Sequence, residues 1–284
     1  MSSAKRRIKA KKKRRHINVI FVLFLAAAGI FFFYQQPARR DIQGKYPAVA
    51  APEKTPVPAL TPAPPPALPR VSIVMDDLGP NKKAAERVFR IKAPLTLSVL
   101  PQEVYTAWIA REGHRLGHEI IGHIPMEAQK PHRLGNGGLY TWMSRDEIIK
   151  TLRENLRSIP YIKGVSTHMG SAFTQDERAM QAVLSELKKR RLIFLDSRTT
   201  PKSVGFKLAK AQELMALQRD VFLDDKDDPR EIEIQWKRLV TIAGKKGYAI
   251  AQAHPRKNTL EFLQKILGNS REVQVVPLSA LIGP

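Results

Sequence analysis

The sequence contains no cysteine, and this absence limits the chemistry available to the chain. Disulfide bonds and thiolate metal sites are both excluded, so any metal ion must be held by histidine, aspartate or glutamate. The chain also has no glycine-rich loop of the kind that binds phosphates, which argues against a doubly wound nucleotide-binding sheet. Oxygen and nitrogen ligands are therefore the chemistry to look for.

Acidic residues are scarce relative to basic ones, and the formal net charge is +22. About +12 of this charge lies before Val71 and about +10 lies in the remaining three quarters of the chain. An evenly basic folded face would indicate nucleic acid. Because the charge is concentrated at the N-terminus, we predict no nucleic-acid partner and keep binding through the basic face as the minor alternative.

Residues 1–16 are predicted to be a basic cytoplasmic tail, and residues 17–35 a transmembrane signal-anchor helix. The apolar stretch from Ile17 to Tyr34 is close to the shortest length that crosses a bilayer core of about 30 Å. The basic cluster before it predicts a cytoplasmic N-terminus and an exported, periplasmic or extracellular, C-terminal portion. The alternative is a signal peptide cleaved near the small residues Ala26 to Gly29.

Residues 36–70 are rich in proline and alanine, as in Pro62-Ala63-Pro64-Pro65-Pro66, and predict an extended linker. From residue 71 to residue 284 the pattern is globular. Short apolar runs alternate with amphipathic stretches, which predicts an α/β domain with a parallel sheet, either a barrel or a doubly wound sheet. Seven or eight strand candidates favour the barrel.

Strands are predicted at 71–75, 95–100, 119–122, 164–167, 192–195, 214–217, 248–251 and 273–276. Helices are predicted at 82–90, 103–116, 145–157, 175–190, 230–245 and 259–267. Two helix starts are predicted from capping boxes, Ser144 with Glu147 and Thr174 with Glu177.

Two adjacent carboxylates, Asp76 and Asp77, close the first apolar run. Adjacent residues at a strand end point in different directions, so one aspartate can bind a metal ion while its neighbour faces a water or a substrate. Capping of the following helix is the structural alternative. The carboxyl ends of parallel strands are where an α/β protein collects its site, so other polar residues at strand ends decide between the two.

Histidines follow three other predicted strands, and in a barrel they would converge with the aspartate pair. We predict a divalent ion, most simply zinc, bound by Asp77, His123 and His168, with open positions for water and substrate. Asp76 is the predicted general base and His254 the general acid. Arg198 is predicted to bind an anionic or carbonyl group, and Asp196 to orient His254 or a ligand imidazole.

Other polar residues receive weaker interpretations. Glu127 is a candidate further ligand, substrate contact or helix cap. His114 and His118 are placed on the opposite rim without chemistry, and the loop containing His132, from Lys130 to Leu139, is a substrate lid or a surface connection. A solvated acidic loop is the interpretation given to three aspartates, Asp220, Asp224 and Asp225, with cation binding as the alternative.

The motifs together resemble the divergent polysaccharide deacetylase family. They are Val74-Met75-Asp76-Asp77-Leu78-Gly79, His123-Ile124-Pro125-Met126-Glu127, His168-Met169-Gly170-Ser171, Phe194-Leu195-Asp196-Ser197-Arg198-Thr199-Thr200, Arg219-Asp220-Val221-Phe222-Leu223-Asp224 and His254-Pro255. The resemblance implies a deformed (β/α) barrel of about seven strands. It also implies a distant relationship to metal-dependent deacetylases of N-acetylated glycans, in which the first aspartate is the base, the second binds the metal, and a late histidine is the acid.

Two features depart from the wider superfamily. Its two metal-binding histidines usually lie a few residues apart, whereas here the second must be the distant His168. Thr167 and Ala253 stand where asparagine and glycine commonly precede the two functional histidines. The predicted function is a membrane-anchored, exported metal-dependent hydrolase that removes acetyl groups from an N- or O-acetylated envelope polysaccharide. The alternative is a catalytically silent envelope protein whose barrel binds glycan or a partner protein.

Overall fold

A computed structural model divides the chain into two units, Met1–Ala63 and Pro64–Pro284. The structure describes residues 68–269 and 272–282, all within the second unit. The predicted tail, the predicted membrane helix and almost all of the predicted linker lie outside these residues. Within them, no helix has both the length and the apolar character needed to cross a membrane.

In the part of the chain that the structure describes, nine strands form one sheet and every pairing between them is parallel. They are β1 (Arg70–Leu78), β2 (Thr96–Val99), β3 (Glu119–Met126), β4 (Ile162–Met169), β5 (Ile193–Asp196), β6 (Ala216–Gln218), β7 (Val221–Phe222), β8 (Tyr248–Ala253) and β9 (Gln274–Val275). The order is β6-β5-β4-β3-β2-β1-β8-β7, and β9 pairs with β1 beside this path. The predicted parallel β/α architecture is thereby confirmed as a half-barrel with eight strands along its main path, where about seven were predicted, and β9 is a ninth strand beside that path.

Seven helices connect the strands within the described residues. They are α1 (Lys82–Val88), α2 (Thr106–Arg115), α3 (Arg145–Arg157), α4 (Glu177–Arg190), α5 (Gly205–Ala211), α6 (Pro229–Lys246) and α7 (Lys257–Asn269). Two short 3-10 turns lie at Phe173–Gln175 and Leu278–Leu281. The sequence prediction omitted α5 and β7, which are only seven and two residues long.

One predicted capping box is present and the other is not. Ser144 and Glu147 exchange the reciprocal hydrogen bonds that begin α3. The cap of α4 is instead Asp176, whose Oδ1 accepts from the backbone N–H of Ala179 at 2.9 Å. Thr174 lies in the preceding 3-10 turn, and its hydroxyl donates to the Gly170 carbonyl at 2.8 Å. The prediction from Thr174 was wrong because the chain makes this extra turn before the helix.

The inner face of the half-barrel carries its own apolar cluster, separate from the clusters under the helices. Val74, Ile121, Leu195 and Ile250 belong to it, together with Leu278 and Leu281 of the C-terminal turn. Leu278 N–H donates to Thr96 Oγ1 at 3.0 Å, which fixes that turn against the sheet. The inside is therefore packed at this level, and the space for a site is left toward the carboxyl ends of the strands.

Candidate metal centre and cleft

Side chains on the inner face change from apolar to polar toward the carboxyl ends of the strands. In a strand, residues two apart share one face. The positions two residues beyond Val74, Ile121, Leu195 and Ile250 are Asp76, His123, Ser197 and Gln252. All four of these polar residues are buried. A ring of buried polar groups thus lies directly above the apolar layer.

A bulge at the end of β1 separates the two adjacent aspartates. The register with β2 shifts between Met75 and Leu78, and Asp77 has a φ of +58°, in the left-handed region. Asp76 is 2% exposed, whereas the Asp77 side chain is 35% exposed. Left-handed backbone also occurs at Met169 and Arg198, which line the same cleft. Such conformations cluster where tertiary structure holds functional groups.

Asp77, His123 and His168 form a group whose ligand atoms all lie within 4.8 Å of one another. Asp77 Oδ1 is 2.9 Å from His168 Nδ1 and 3.2 Å from His123 Nε2. Neighbouring ligands of a tetrahedral zinc ion, at bond lengths near 2.1 Å, are about 3.4 Å apart. The three predicted ligands are thus brought together from β1, β3 and β4, and the two distances to Asp77 Oδ1 are close to the ligand spacing of such an ion.

The hydrogen bonds of this group test whether it fits a cation. Asp77 Oδ1 is buried and has no hydrogen-bond partner of suitable geometry among the described residues. Burial raises the pKa of Asp77, but the nearby imidazoles of His123 and His168 outweigh it and leave the pKa far below its ordinary value. An ionised carboxylate oxygen beside two imidazole nitrogens is a donor set that suits zinc and other first-row divalent ions. The residues therefore fit the metal.

A hydrogen-bond chain fixes the orientation of His123. Its Nδ1 lies 2.7 Å from Ser166 Oγ, which lies 2.7 Å from Ser98 Oγ. With Nδ1 engaged, Nε2 remains for a ligand, and Nε2 is the atom that faces Asp77. A metal-binding histidine commonly engages its second nitrogen in this way. His123 lies within β3 rather than after it, because β3 continues to Met126 although its pairing with β2 ends at Gly122.

Asp76 occupies the buried side of the cleft. Its Oδ2 accepts from Gln252 Nε2 at 2.8 Å, and its Oδ1 has no hydrogen-bond partner among the described residues. Burial raises the pKa of Asp76 above its ordinary value, against the opposing charges of His123 and His254. A raised pKa strengthens the affinity of a carboxylate for a proton, as a general base requires.

His254 follows β8 on the opposite side of Asp77, with its Nε2 3.5 Å from Asp77 Oδ2. A buried carboxylate holds the other ring nitrogen: Asp224 Oδ1 lies 3.1 Å from His254 Nδ1. Asp224 Oδ2 accepts from His254 N–H and from Thr259 Oγ1, both at 2.8 Å. Burial lowers the pKa of His254, but Asp224, with smaller contributions from the charges of Asp77 and Asp76, outweighs burial and the pKa is raised. The imidazolium form, which can donate a proton, is therefore favoured.

Two arginines add positive charge to the cleft, which has a volume of about 460 Å³. Arg219 donates through Nε to the Ser197 carbonyl at 2.7 Å and lies over the Phe222 ring. Burial lowers the pKa of Arg219, with the charge of Asp76 acting in the opposite direction. Arg198 is exposed at the same opening, where it was predicted to meet an anionic or carbonyl group.

Two predicted supporting residues have other contacts. Asp196 was predicted to orient an imidazole, but its oxygens accept from Arg198 N–H, Ser203 Oγ and Phe206 N–H. The prediction was wrong because these bonds hold the β5–α5 loop. Glu127 accepts from Thr141 N–H at 2.7 Å and so fixes the loop after β3.

Asp224 was also misinterpreted as part of a solvated loop. It is fully buried and performs the orienting role that was given to Asp196. The sequence carried a signal for it: Val221-Phe222-Leu223-Asp224 repeats the pattern of an apolar run closed by a carboxylate that marked β1. The sequence prediction also missed Ser166, Gln252 and Arg219. A signal was available for Gln252, because it lies two residues beyond Ile250 and therefore on the same inward face of the strand.

The fold and the cleft define a class of protein: a parallel β/α half-barrel with an Asp-His-His cluster and an Asp-His pair at the carboxyl ends of its strands. The family model described as divergent polysaccharide deacetylase matches residues 73–282. The chain belongs to this family, and the resemblance seen in its motifs is confirmed.

The proteins similar to this chain include two bacterial relatives and one solved structure. An uncharacterized protein of Haemophilus influenzae is 33% identical over 213 residues, covering 75% of this chain and 76% of that protein. The uncharacterized protein YibQ of Escherichia coli is 31% identical over 214 residues, covering 75% of this chain and 67% of that protein. The crystal structure of an uncharacterized protein from Agrobacterium tumefaciens C58 has a TM-score of 0.73 and 26% identity, covering 78% of this chain and 92% of that chain.

Proposed function

We propose that this protein is a metal-dependent hydrolase that removes acetyl groups from an N- or O-acetylated polysaccharide of the cell envelope. The observation that carries the proposal is the approach of His123 and His168 to one unpartnered oxygen of Asp77. Membership of the divergent polysaccharide deacetylase family supports the choice of substrate class. Asp77, His123 and His168 would hold the ion.

A divalent ion held by these three residues would lower the pKa of a bound water and polarise an acyl carbonyl. Asp76, buried beside it with a raised pKa, accepts the proton as the water oxygen forms its bond to the acyl carbon. Gln252 holds Asp76 in place through its Oδ2. The acyl carbon then leaves as acetate when its bond to the sugar nitrogen or oxygen breaks.

His254 supplies the proton that the leaving nitrogen or oxygen needs. Its raised pKa keeps it protonated to higher pH, and the hydrogen bond to Asp224 directs Nε2 toward the cleft. Arg219 and Arg198 place positive charge at the opening, which suits an anionic polymer.

The predicted membrane anchor and export are part of the same proposal. Basic residues before Ile17, followed by an apolar stretch, support a cytoplasmic N-terminus and an exported domain, where an envelope glycan would be reached. Protease treatment of intact and permeabilised cells tests this arrangement: digestion of the C-terminal domain only after the inner membrane is opened would contradict it.

The enzymatic proposal is tested by metal analysis and acetate release from acetylated glycans. We expect His168→Ala to lose both bound metal and activity. Asp76→Asn should keep the metal and lose about 10²- to 10⁴-fold in turnover, the usual contribution of a general base.

His114→Ala is the matched control, because His114 is an exposed histidine that stacks on Tyr161 and lies away from the cleft. It should change neither metal content nor turnover. A purified chain that binds no divalent ion would contradict the proposal, whereas bound metal without turnover of any acetylated sugar would favour a silent glycan-binding protein.

A further inference from the structure

A second cavity lies beyond the end of β3, on the same rim as the cleft. Its volume is about 590 Å³, within the range of small-molecule sites. Its polar and aromatic walls are formed by Glu127, Gln129, His132, Arg133, Tyr140 and Trp142. Glu127 is four residues past His123, and at the rise of a strand this is about 13 Å along the chain. None of the residues that line this cavity belongs to the candidate metal group of Asp77, His123 and His168.

The aromatic wall is a flat surface open to solvent. Tyr140 and Trp142 stack with ring centroids 5.6 Å apart and an interplanar angle of 21°. Trp142 is 72% exposed, so core packing does not account for this tryptophan. Tyrosine and tryptophan are typical of surfaces that contact ligands with both apolar and polar groups.

Polar side chains with unused hydrogen-bonding capacity surround this aromatic surface. Within residues 68–269 and 272–282, the side chains of Gln129, His132 and Arg133 make no hydrogen bond or ion pair. A sugar ring presents apolar C–H faces that stack on aromatic rings and hydroxyl groups that hydrogen-bond at its edge. The cavity offers both kinds of contact.

The loop that carries these groups is held in place before any ligand binds. Leu134 and Leu139 are buried, and Asn155 Nδ2 donates to the Gly137 carbonyl at 2.8 Å. Thr141 N–H donates to Glu127, and Arg178 donates to the Thr141 and Met143 carbonyls. A fixed loop loses little conformational entropy on binding, which favours a recognition surface over a lid.

We propose that this cavity binds a second sugar unit of the glycan whose acetylated unit occupies the metal cleft, with Trp142 as the stacking platform. The inference rests on the proposed function for the position of the substrate, and it assigns the protein a polymer rather than a single sugar. The metal cleft and the second cavity lie apart on one rim. A glycan that occupies both must therefore contain more than one linked sugar ring.

The test is a titration of the purified full-length chain with tetra-N-acetylchitotetraose. Binding is measured by tryptophan emission and by calorimetry. We expect Trp142→Ala to weaken binding about five- to thirtyfold, as loss of an aromatic stacking contact does. Trp142→Phe keeps an aromatic ring and should restore most of the affinity. Val104→Ala is the matched control, because Val104 is an apolar residue that is 83% exposed and does not line the cavity.

Several outcomes would overturn the inference. They are unchanged affinity in Trp142→Ala, equal loss in Val104→Ala, no binding of the tetrasaccharide by the wild-type chain, and an emission response to a peptidoglycan tetrapeptide but not to the sugar. The proposed function can fail without the further inference. If the tetrasaccharide binds in a Trp142-dependent way but no acetate is released, only the hydrolase proposal is refuted. Acetate release with an unchanged KM for the tetrasaccharide in Trp142→Ala refutes the platform alone.

Discussion

The Asp224→Asn substitution removes the charge that supports His254 while keeping the shape of the side chain. Asp224 is fully buried and makes three contacts to His254 and Thr259 at 2.8 to 3.1 Å. An asparagine keeps one carbonyl acceptor and replaces the other carboxylate oxygen with a donor. The charge-assisted hydrogen bond to the imidazolium is then lost.

The size of the effect follows from that bond. A hydrogen bond to a charged group contributes about 1.5 to 3 kcal/mol, and 1.36 kcal/mol corresponds to one pH unit of pKa. Burial already lowers the pKa of His254, and Asp224 is the largest influence that raises it. We therefore expect the pKa of His254 to fall in the variant, because the largest influence that raises it is removed.

The same bond makes stability depend on pH. The raised pKa of His254 stabilises the fold below its ordinary value of 6.5, and this is lost as pH rises through the folded-state pKa. Burial raises the pKa of Asp224 but His254 outweighs it, so its lowered pKa stabilises the fold above 3.8 and this is lost as pH falls. The variant should thus be most destabilised between pH 3.8 and 6.5.

The assay is a ¹H–¹⁵N NMR titration of the His254 ring nitrogens, with urea unfolding at several pH values. Asp225→Asn is the matched control, because Asp225 is the adjacent aspartate and its side chain is exposed in the same cleft. An unchanged pKa of His254 in Asp224→Asn, or an equal fall in Asp225→Asn, would refute the reasoning. In acetate-release assays activity should fall as pH rises and His254 loses its proton. This alkaline limb of the pH profile should move to lower pH only in Asp224→Asn.

Three further predictions concern positions away from His254. Ser166→Ala should weaken zinc affinity about ten- to hundredfold by equilibrium dialysis, because the bond that orients His123 is lost. Gly137→Ala should lower the free energy of unfolding by about 1 to 3 kcal/mol, since φ is +68° and the added Cβ would overlap the Asn155 side chain. Glu186→Gln should cost about 1 to 2 kcal/mol at pH 7, because two arginines hold the pKa of this buried carboxyl at about 2. Its stabilisation is present above the ordinary value of 4.5 and is lost as pH falls toward 2, so the difference should vanish in acid.

Each of these predictions has a matched control in the chain. Ser185→Ala removes an exposed hydroxyl that bonds only within its own helix and should leave zinc affinity unchanged. Gly244→Ala places a Cβ in open space within a helix, so stability should be kept or increased. Glu233→Gln removes an exposed i,i+4 pair and should have no measurable effect. Equal effects in variant and control would contradict the corresponding argument.

The elements that the sequence predicted well are those whose signal is local. The apolar run before Asp76 identified β1, because a strand that is buried on both faces has a nearly continuous run of hydrophobic residues. The box of Ser144 and Glu147 placed the start of α3, since both partners lie within one helical turn. Thr174 gave the same local pattern but failed, because the Gly170 carbonyl accepted its hydroxyl instead.

The candidate site was predictable in part for the same reason. Asp76, Asp77, His123, His168 and His254 stand next to apolar runs, and parallel strands bring their carboxyl ends to one rim, where the structure places all five. The partner of His254 was not predictable in this way. Asp196 and Asp224 both follow apolar runs, and only the position of β7 beside β8 determines which carboxylate reaches the histidine.

The sequence by itself determined the parallel β/α architecture, the family and the residue types that form the candidate metal group, because hydrophobic periodicity and residues adjacent to strands are properties of short segments. Tertiary structure alone decided the half-barrel order of eight strands, the bulge that separates Asp76 from Asp77, and the pairing of Asp224 with His254. These depend on contacts between residues more than 20 positions apart, and such contacts leave no periodic pattern in the chain.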